Sequence, residues 1–189
     1  MEAHELLQRA ARGDAEAFGD FYEQLLDRVY RYAYYRLGNE RDAEDLTEET
    51  FVRAWEALRK TGRVPDHPEA WIFRIAHNLI VDHHRAARPE TELTSAPPLP
   101  DRGPGPEEQV QQRETLKDLL HHLRRLPPQW QQVLVCRFIQ GMSHAETAKV
   151  LGIAEGHVRV LQYRALRRLR EMLQSQEVEH HGTTHSPVG

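Results

Sequence analysis

The segment from Met142 to Arg170, MSHAETAKVLGIAEGHVRVLQYRALRRLR, constrains this chain more than any other part of it. Ser143 and Glu146 have the S-x-x-E spacing of a capping box, in which side chains three residues apart satisfy each other's orphan backbone N–H groups. A helix is therefore expected to start there. Ala145, Ala148, Val150 and Leu151 give that helix an apolar side. Gly152 ends it, because glycine takes the left-handed backbone of a helix terminus without a Cβ penalty. Ile153 fills the turn, and a second helix begins near Glu155. At 3.6 residues per turn, Val158, Leu161, Ala165, Leu169 and Met172 gather on one side of this helix, and Arg159, Val160, Tyr163, Arg164, Arg167 and Arg170 gather on the other. A short helix, a turn and a basic-faced helix form the unit that sets a recognition helix into the major groove of DNA. A helical hairpin with a solvated arginine face is the plainer alternative. The cap, the Gly152-Ile153 turn and the one-sided arginines together favour DNA.

The rest of the chain reads as helix too. Apolar periods of 3.6 dominate, and no convincing alternating strand is present, so the expected class is all-α. No apolar run approaches the roughly 18 residues needed to span a membrane, and no signal peptide opens the chain. The single cysteine, Cys136, allows no internal disulfide and suits a reducing cytoplasm. It sits in the run Val133-Leu134-Val135-Cys136, which reads as core rather than as a nucleophile's setting.

A net charge of −4 is unusual for a DNA binder, and its distribution matters more than its sum. Residues 1–88 carry a net −4, residues 89–106 a net −2 and residues 107–189 a net +2. Affinity for arbitrary DNA should therefore be low, which calls for a partner that supplies the non-specific grip.

Two helical domains are expected on either side of a strap. Residues 88–106, RPETELTSAPPLPDRGPGP, are too rich in proline and glycine for a stable helix and read as an extended, flexible linker. Residues 1–87 contain four helical periods: His4 to Arg12, Glu16 to Leu37, Arg41 to Lys60 and Trp71 to Ala87. Residues 107–174 contain Glu107 to Leu126, Pro128 to Gln140 and the helix pair above. Residues 175–189 are expected to be a disordered tail, frayed at its end from Gly182 to Gly189.

Two blocks in the first domain carry further signal. DAEDLTEETFVRAW, residues 42–55, has five acids, all in its N-terminal part, over a buried stripe of Ala43, Leu46, Phe51, Ala54, Trp55 and Leu58. Acids there complement the helix dipole, so a solvated face competes with a docking surface for a basic partner. In WIFRIAHNLIVDHHRAAR, residues 71–88, Ile72, Ile75, Ala76, Leu79 and Ile80 form the core stripe. Arg74, His77, Asn78, Asp82 and Arg85 lie on the other side. Arginine suits phosphate contact and asparagine can read a base edge. Trp71 opens the helix, where its ring either stacks on an unpaired base or joins the core.

With these blocks in place, the chain resembles a bacterial sigma factor of the extracytoplasmic-function (ECF) group, over roughly residues 14 to 172. DAEDLTEETFVRAW and AWIFRIAHNLIVDHHR resemble the family's region 2. LPPQWQQVLVCRFIQGMSHAETAKVLGIAEGHVRVLQYRALRRLRE resembles its region 4. The resemblance implies a region 2 bundle that docks on the clamp helices of the polymerase β′ subunit through Asp45, Glu48, Glu49 and Arg53. It implies capture and melting of the −10 strand by the loop and helix over 62–85, with Trp71, Arg74, His77, Asn78, Asp82, His83 and Arg85 as contact candidates. It implies −35 reading by Arg159, Val160, Tyr163, Arg164 and Arg167, a contact of region 4 with the β flap, and an anti-sigma partner. The linker, with Glu90, Glu92 and Asp101, would thread toward the polymerase active site and mimic the charge of nascent RNA. No cofactor and no metal are implied.

The recognition helix departs from the family pattern. Where the family often has V-K-S-R-L, this chain has Val158-Arg159-Val160-Leu161-Gln162. Leu161 is expected to take the core-facing role, and Val160 to face outward, where an apolar group can meet a thymine methyl. Ala154 stands where the family usually has a serine N-cap, at a cost of roughly 1 kcal/mol. Histidine pairs at His83-His84, His121-His122 and His180-His181, with His185 beyond, invite a zinc reading. Adjacent histidines point apart on a helix, however, which argues against it. Two other function classes compete: a stand-alone helix-turn-helix regulator, opposed by the acidic balance, and a helical enzyme. No phosphate loop, H-E-x-x-H or activated nucleophile supports an enzyme.

Overall fold

Eight helical segments and no strand make up the described part of the chain, residues 2–86 and 118–182 of the computed structural model, with side chains described as far as Ser175 in the last helix. The first four are α1 (Ala3–Ala11), α2 (Ala15–Leu37), α3 (Glu40–Thr61) and α4 (Pro68–Ala86). A helical stretch over 118–124, α5, leads to α6 (Pro128–Leu134). A π-helical turn, Val135–Ile139, continues α6. α7 (His144–Leu151) and α8 (Glu155–Gly182) complete the chain.

The helix boundaries follow local chemistry. The Asp14 side chain accepts from the Ala17 N–H at the start of α2, and Asn39 accepts from Asp42 at the start of α3. Gly38 and Gly62 end these helices in the left-handed conformation. Both arms of the capping box on α7 are made: Glu146 N–H donates to Ser143 Oγ at 3.1 Å, and Ser143 N–H donates to Glu146 Oε2 at 2.7 Å. Gly152 then closes α7 at φ 68°.

The core of the N-terminal half is filled by Leu6, Leu7, Phe21, Val29, Tyr32, Leu58, Ile72, Phe73 and Ile80. Arg28 ties α2 to α4 by an ion pair with Glu69 at 2.8 Å while its guanidinium lies 5.3 Å from the Phe73 ring centroid. Val133, Val158 and Leu161 form a small separate core that sets α8 against α6.

Several expectations need adjustment. The helix expected from Pro128 to Gln140 turns π-helical at Val135. Tyr22 falls within the apolar period of α2, with Phe18, Phe21 and Leu25, yet it is exposed, and so is Ala145 on α7. Buried threonines take inward positions instead. Thr47 and Thr50 are buried because each hydroxyl donates to the carbonyl four residues back, Ala43 O and Leu46 O, at 2.6 and 2.7 Å. α8 continues as helix through Gly182, so residues 175–182 are helical where a disordered tail was expected. Residues 183–189, the whole 88–106 linker and the 107–117 part of the expected helix lie outside the described residues.

The two halves also touch, which periodicity did not indicate. α4 packs directly on α7, and α2 meets the π turn. Leu134, Val135, Cys136, Val150 and Ala165 thereby join the core built by α1–α4.

Candidate nucleic-acid interface

α8 separates its two sides cleanly. Val158, Leu161 and Ala165 are buried, whereas Val160 is 45% exposed and Tyr163 68% exposed. The substitution pattern read from the sequence is therefore resolved as expected at Leu161, which enters the core, and at Val160, which does not. Gln162 accepts a hydrogen bond from Arg137 Nε at 3.0 Å, and Arg137 also donates to the Met142 carbonyl. The side chain replacing an apolar family residue thus ties α8 to the turn before α7. Of the arginines, Arg159 pairs with Glu155 at 2.5 Å and Arg167 with Glu171 at 3.2 Å. Arg164 is exposed, and among the described residues it makes no ion pair. Two exposed i,i+4 pairs hold their guanidiniums along the helix at little energetic gain, so a phosphate can displace the carboxylates.

α4 splits its candidates. Arg74, Asn78, Asp82 and Arg85 form an exposed stripe, with Arg85 3.8 Å from Asp82. His83 is half-buried and its Nε2 lies 3.3 Å from Asp42 Oδ2, linking this stripe to the start of α3. Trp71 is half-buried against the core and offers only part of its ring. His77 departs from expectation. It is buried, with Nδ1 3.3 Å from the Tyr32 hydroxyl, and faces the C-terminal half instead of solvent. Burial, with Arg36 and Arg74 nearby, lowers its pKa from 6.5 to about 4.

The docking candidates on α3, Asp45, Glu48, Glu49 and Arg53, are all exposed, and Arg53 pairs with Glu49 at 2.6 Å. Beside them lies a feature that sequence reading missed. An open groove of about 1030 Å³ runs between α2 and α3, floored by Phe18, Tyr22, Phe51 and Trp55 and rimmed by Asp27, Glu44, Glu48 and Glu56. Phe18 packs on Trp55, and Tyr22 on Phe51, with centroids 4.8 and 4.7 Å apart. Val52 was the signal: an apolar residue outside the buried stripe of α3, and exposed here.

Cys136 is buried, and burial pushes its thiol up to about 12. Among the described residues no three His, Cys, Asp or Glu side chains are placed to hold a metal ion. The paired rings at His83-His84 and His121-His122 stand edge to face, and the side chains of His180, His181 and His185 lie outside the described set. No helix among the described residues is long and apolar enough to cross a membrane.

Comparison with known proteins matches this layout half by half. Residues 21–90 match the model of sigma-70 region 2, and residues 122–171 match that of sigma-70 region 4. The chain is 44% identical over 174 residues to the ECF RNA polymerase sigma factor BldN of Streptomyces coelicolor, covering 89% of this chain but only 65% of that relative's length. It is 34% identical over 177 residues to the ECF RNA polymerase sigma factor ShbA of Streptomyces griseus, covering 88% of this chain and 93% of the relative. Among solved structures, CnrH in complex with the cytosolic domain of CnrY superposes with a TM-score of 0.71 at 29% identity, over 92% of this chain and 99% of that one.

Proposed function

The chain belongs to the ECF RNA polymerase sigma factors, and from that premise we propose that it is a non-catalytic specificity subunit that brings core polymerase to promoters inside the cytoplasm. The observation that carries the proposal is the division of labour among exposed faces. An acidic, aromatic docking face on α2–α3 and a polar stripe on α4 share one chain with an outward α8 face built of arginines around Val160 and Tyr163.

In this reading, Asp45, Glu48, Glu49 and Arg53 meet the β′ clamp helices, and the neighbouring groove receives apolar side chains of the same partner. Charge steers the encounter, and the partly exposed aromatic floor supplies the contact area. Arg74, Asn78, Asp82 and Arg85, with Trp71 and His83 at the margin, handle the −10 strand once it is single. His77 acts from behind, as the group that seats α4. Arg159, Val160, Tyr163, Arg164 and Arg167 read the −35 duplex, and region 4 also meets the β flap. A protein partner that covers the chain, of the anti-sigma kind, is part of the proposal; the structural neighbour CnrH was itself solved with a second chain bound.

Run-off transcription with purified core polymerase tests this. The expected result is initiation from a defined set of promoters only when the chain is present. A stand-alone regulator would instead bind duplex DNA without core and leave initiation unchanged.

A further inference from the structure

Gln162 stands at an edge of α8. On one side of it lie the buried Val158, Leu161 and Ala165, on the other the exposed Arg159 and Val160, and Gln162 itself is half-buried. Its Oε1 accepts from Arg137 Nε at 3.0 Å. An arginine side chain has donors only, so the carbonyl end of the amide must face it and the NH2 end must face away. Among the described residues Gln162 Nε2 meets no acceptor. The amide orientation that a lone glutamine leaves open is therefore fixed, with its donors turned outward.

Arg137 is the middle residue of the π turn Val135–Ile139, a widened single turn of a kind that recurs at functional positions. Besides Gln162 it donates through Nη1 to the carbonyl of Met142, two residues before α7 begins. Both acceptors are neutral, and among the described residues no carboxylate pairs with Arg137. Its charge is uncompensated there, and its Nη2 donors are unused. A half-buried guanidinium with spare N–H groups beside an unpaired amide NH2 suits an anionic oxygen.

The place fits one source of such oxygens. In a helix-turn-helix complex the second helix lies in the major groove, and the first crosses the DNA backbone. Arg137 joins the flank of that second helix, α8, to the turn that leads into the first, α7. Gln162 lies to one side of the line of Val160, Tyr163 and Arg167. Its reach is toward the strand that borders the groove, away from the base edges on the groove floor.

We propose that Gln162 and Arg137 form a clamp on one backbone phosphate of the −35 duplex, with Arg137 also orienting the Gln162 amide. The proposal rests on the sigma-factor reading. A phosphate contact carries no base information; it sets the depth and angle at which Arg159 and Val160 meet the bases. The leucine that the family often has at this position would pack at the same edge but offer no donor. The Gln162 prong is thus a feature of this chain.

Gln162→Glu separates a clamp from a brace. The carboxylate keeps an acceptor for Arg137 Nε but turns the outward donor into an anionic acceptor. If the pair only braces α8, holoenzyme carrying Gln162→Glu should match wild type in Tm and in promoter affinity. The proposal expects Tm to hold and promoter affinity to fall at least about tenfold, as for loss of a hydrogen bond to a charged group. Replacing −35 phosphates one at a time by uncharged methylphosphonates then finds the partner. Wild-type holoenzyme should lose about tenfold at one phosphate, where Gln162→Leu holoenzyme loses little further. If Gln162→Glu lowers Tm, this methylphosphonate cycle decides in its place. Wild-type affinity in Gln162→Glu at unchanged Tm overturns the clamp. A Gln162-dependent loss that follows a base replacement and no phosphate also overturns it. Initiation by wild-type chain alongside either result removes the clamp alone, whereas a wild-type chain that never initiates with core removes the sigma reading and the clamp together.

Discussion

Val158 and Val160 are two residues apart on α8, chemically identical, and assigned opposite work. Val158 is fully buried against Val133 and Leu161, whereas Val160 is 45% exposed on the arginine side. Val158→Ala removes two buried methyl groups from a small core and should cost about 2 kcal/mol. For a chain of this size that lowers Tm by roughly 4–8 °C. Val160→Ala should leave stability within about 0.5 kcal/mol of wild type. Its effect should appear on DNA. If the Val160 side chain covers a thymine methyl in the −35 element, that contact is worth about 0.8 kcal/mol, or about fourfold in affinity. The assay replaces each −35 thymine in turn by uracil, which removes only the methyl group. Wild-type holoenzyme should lose about fourfold at one position, and the Val160→Ala holoenzyme should be indifferent there. Uniform losses at every thymine, or a Tm drop for Val160→Ala matching that of Val158→Ala, would refute the assignment of the two faces.

The remaining predictions follow from single sites. Ser143→Ala removes one arm of the α7 capping box and should lower stability by about 1 kcal/mol in thermal or urea unfolding. His77 has a folded-state pKa of about 4 against 6.5, so the unfolded chain binds more protons between those values. Stability should therefore fall as pH drops from 6.5 toward 4, by up to about 3 kcal/mol, and His77→Gln should flatten that slope. Glu48→Lys, on an exposed position beside the aromatic groove, should slow association with core about tenfold at low salt and much less near 1 M salt, with Tm unchanged. Cys136 should resist thiol reagents in native chain and react on unfolding, because it is both buried and raised to about 12.

Local rules made much of the fold legible in the sequence. Ser143, Glu146 and Gly152 set the ends of α7 by capping chemistry that acts within a few residues. The stripe of Val158, Leu161 and Ala165 identified the buried side of α8 by period alone. Other features depend on neighbours distant in sequence. A helical period shows that His77 shares a side of α4 with Asn78, but not that the C-terminal half will cover one and leave the other exposed. Arg36 reads as an ordinary cation in the last turn of α2, yet it is buried and donates to the Pro128 carbonyl and to Gln131, 92 and 95 residues away. The π turn at Val135–Ile139 similarly continues the apolar period of α6 and has no sequence mark that separates it from an α-helix. Thr47 and Thr50 look polar in sequence, yet their hydroxyls bond within their own helix and free the methyl groups for the core.

Strand opening is the act that separates a sigma factor from a duplex-binding regulator. Permanganate, which oxidises unstacked thymines, should reveal reactive non-template thymines in the −10 region of a cognate promoter when chain and core polymerase are both present. Neither component alone should produce them, and Asn78→Ala should weaken them. Duplex binding by the chain without core, with no reactive thymine in any mixture, would contradict the account.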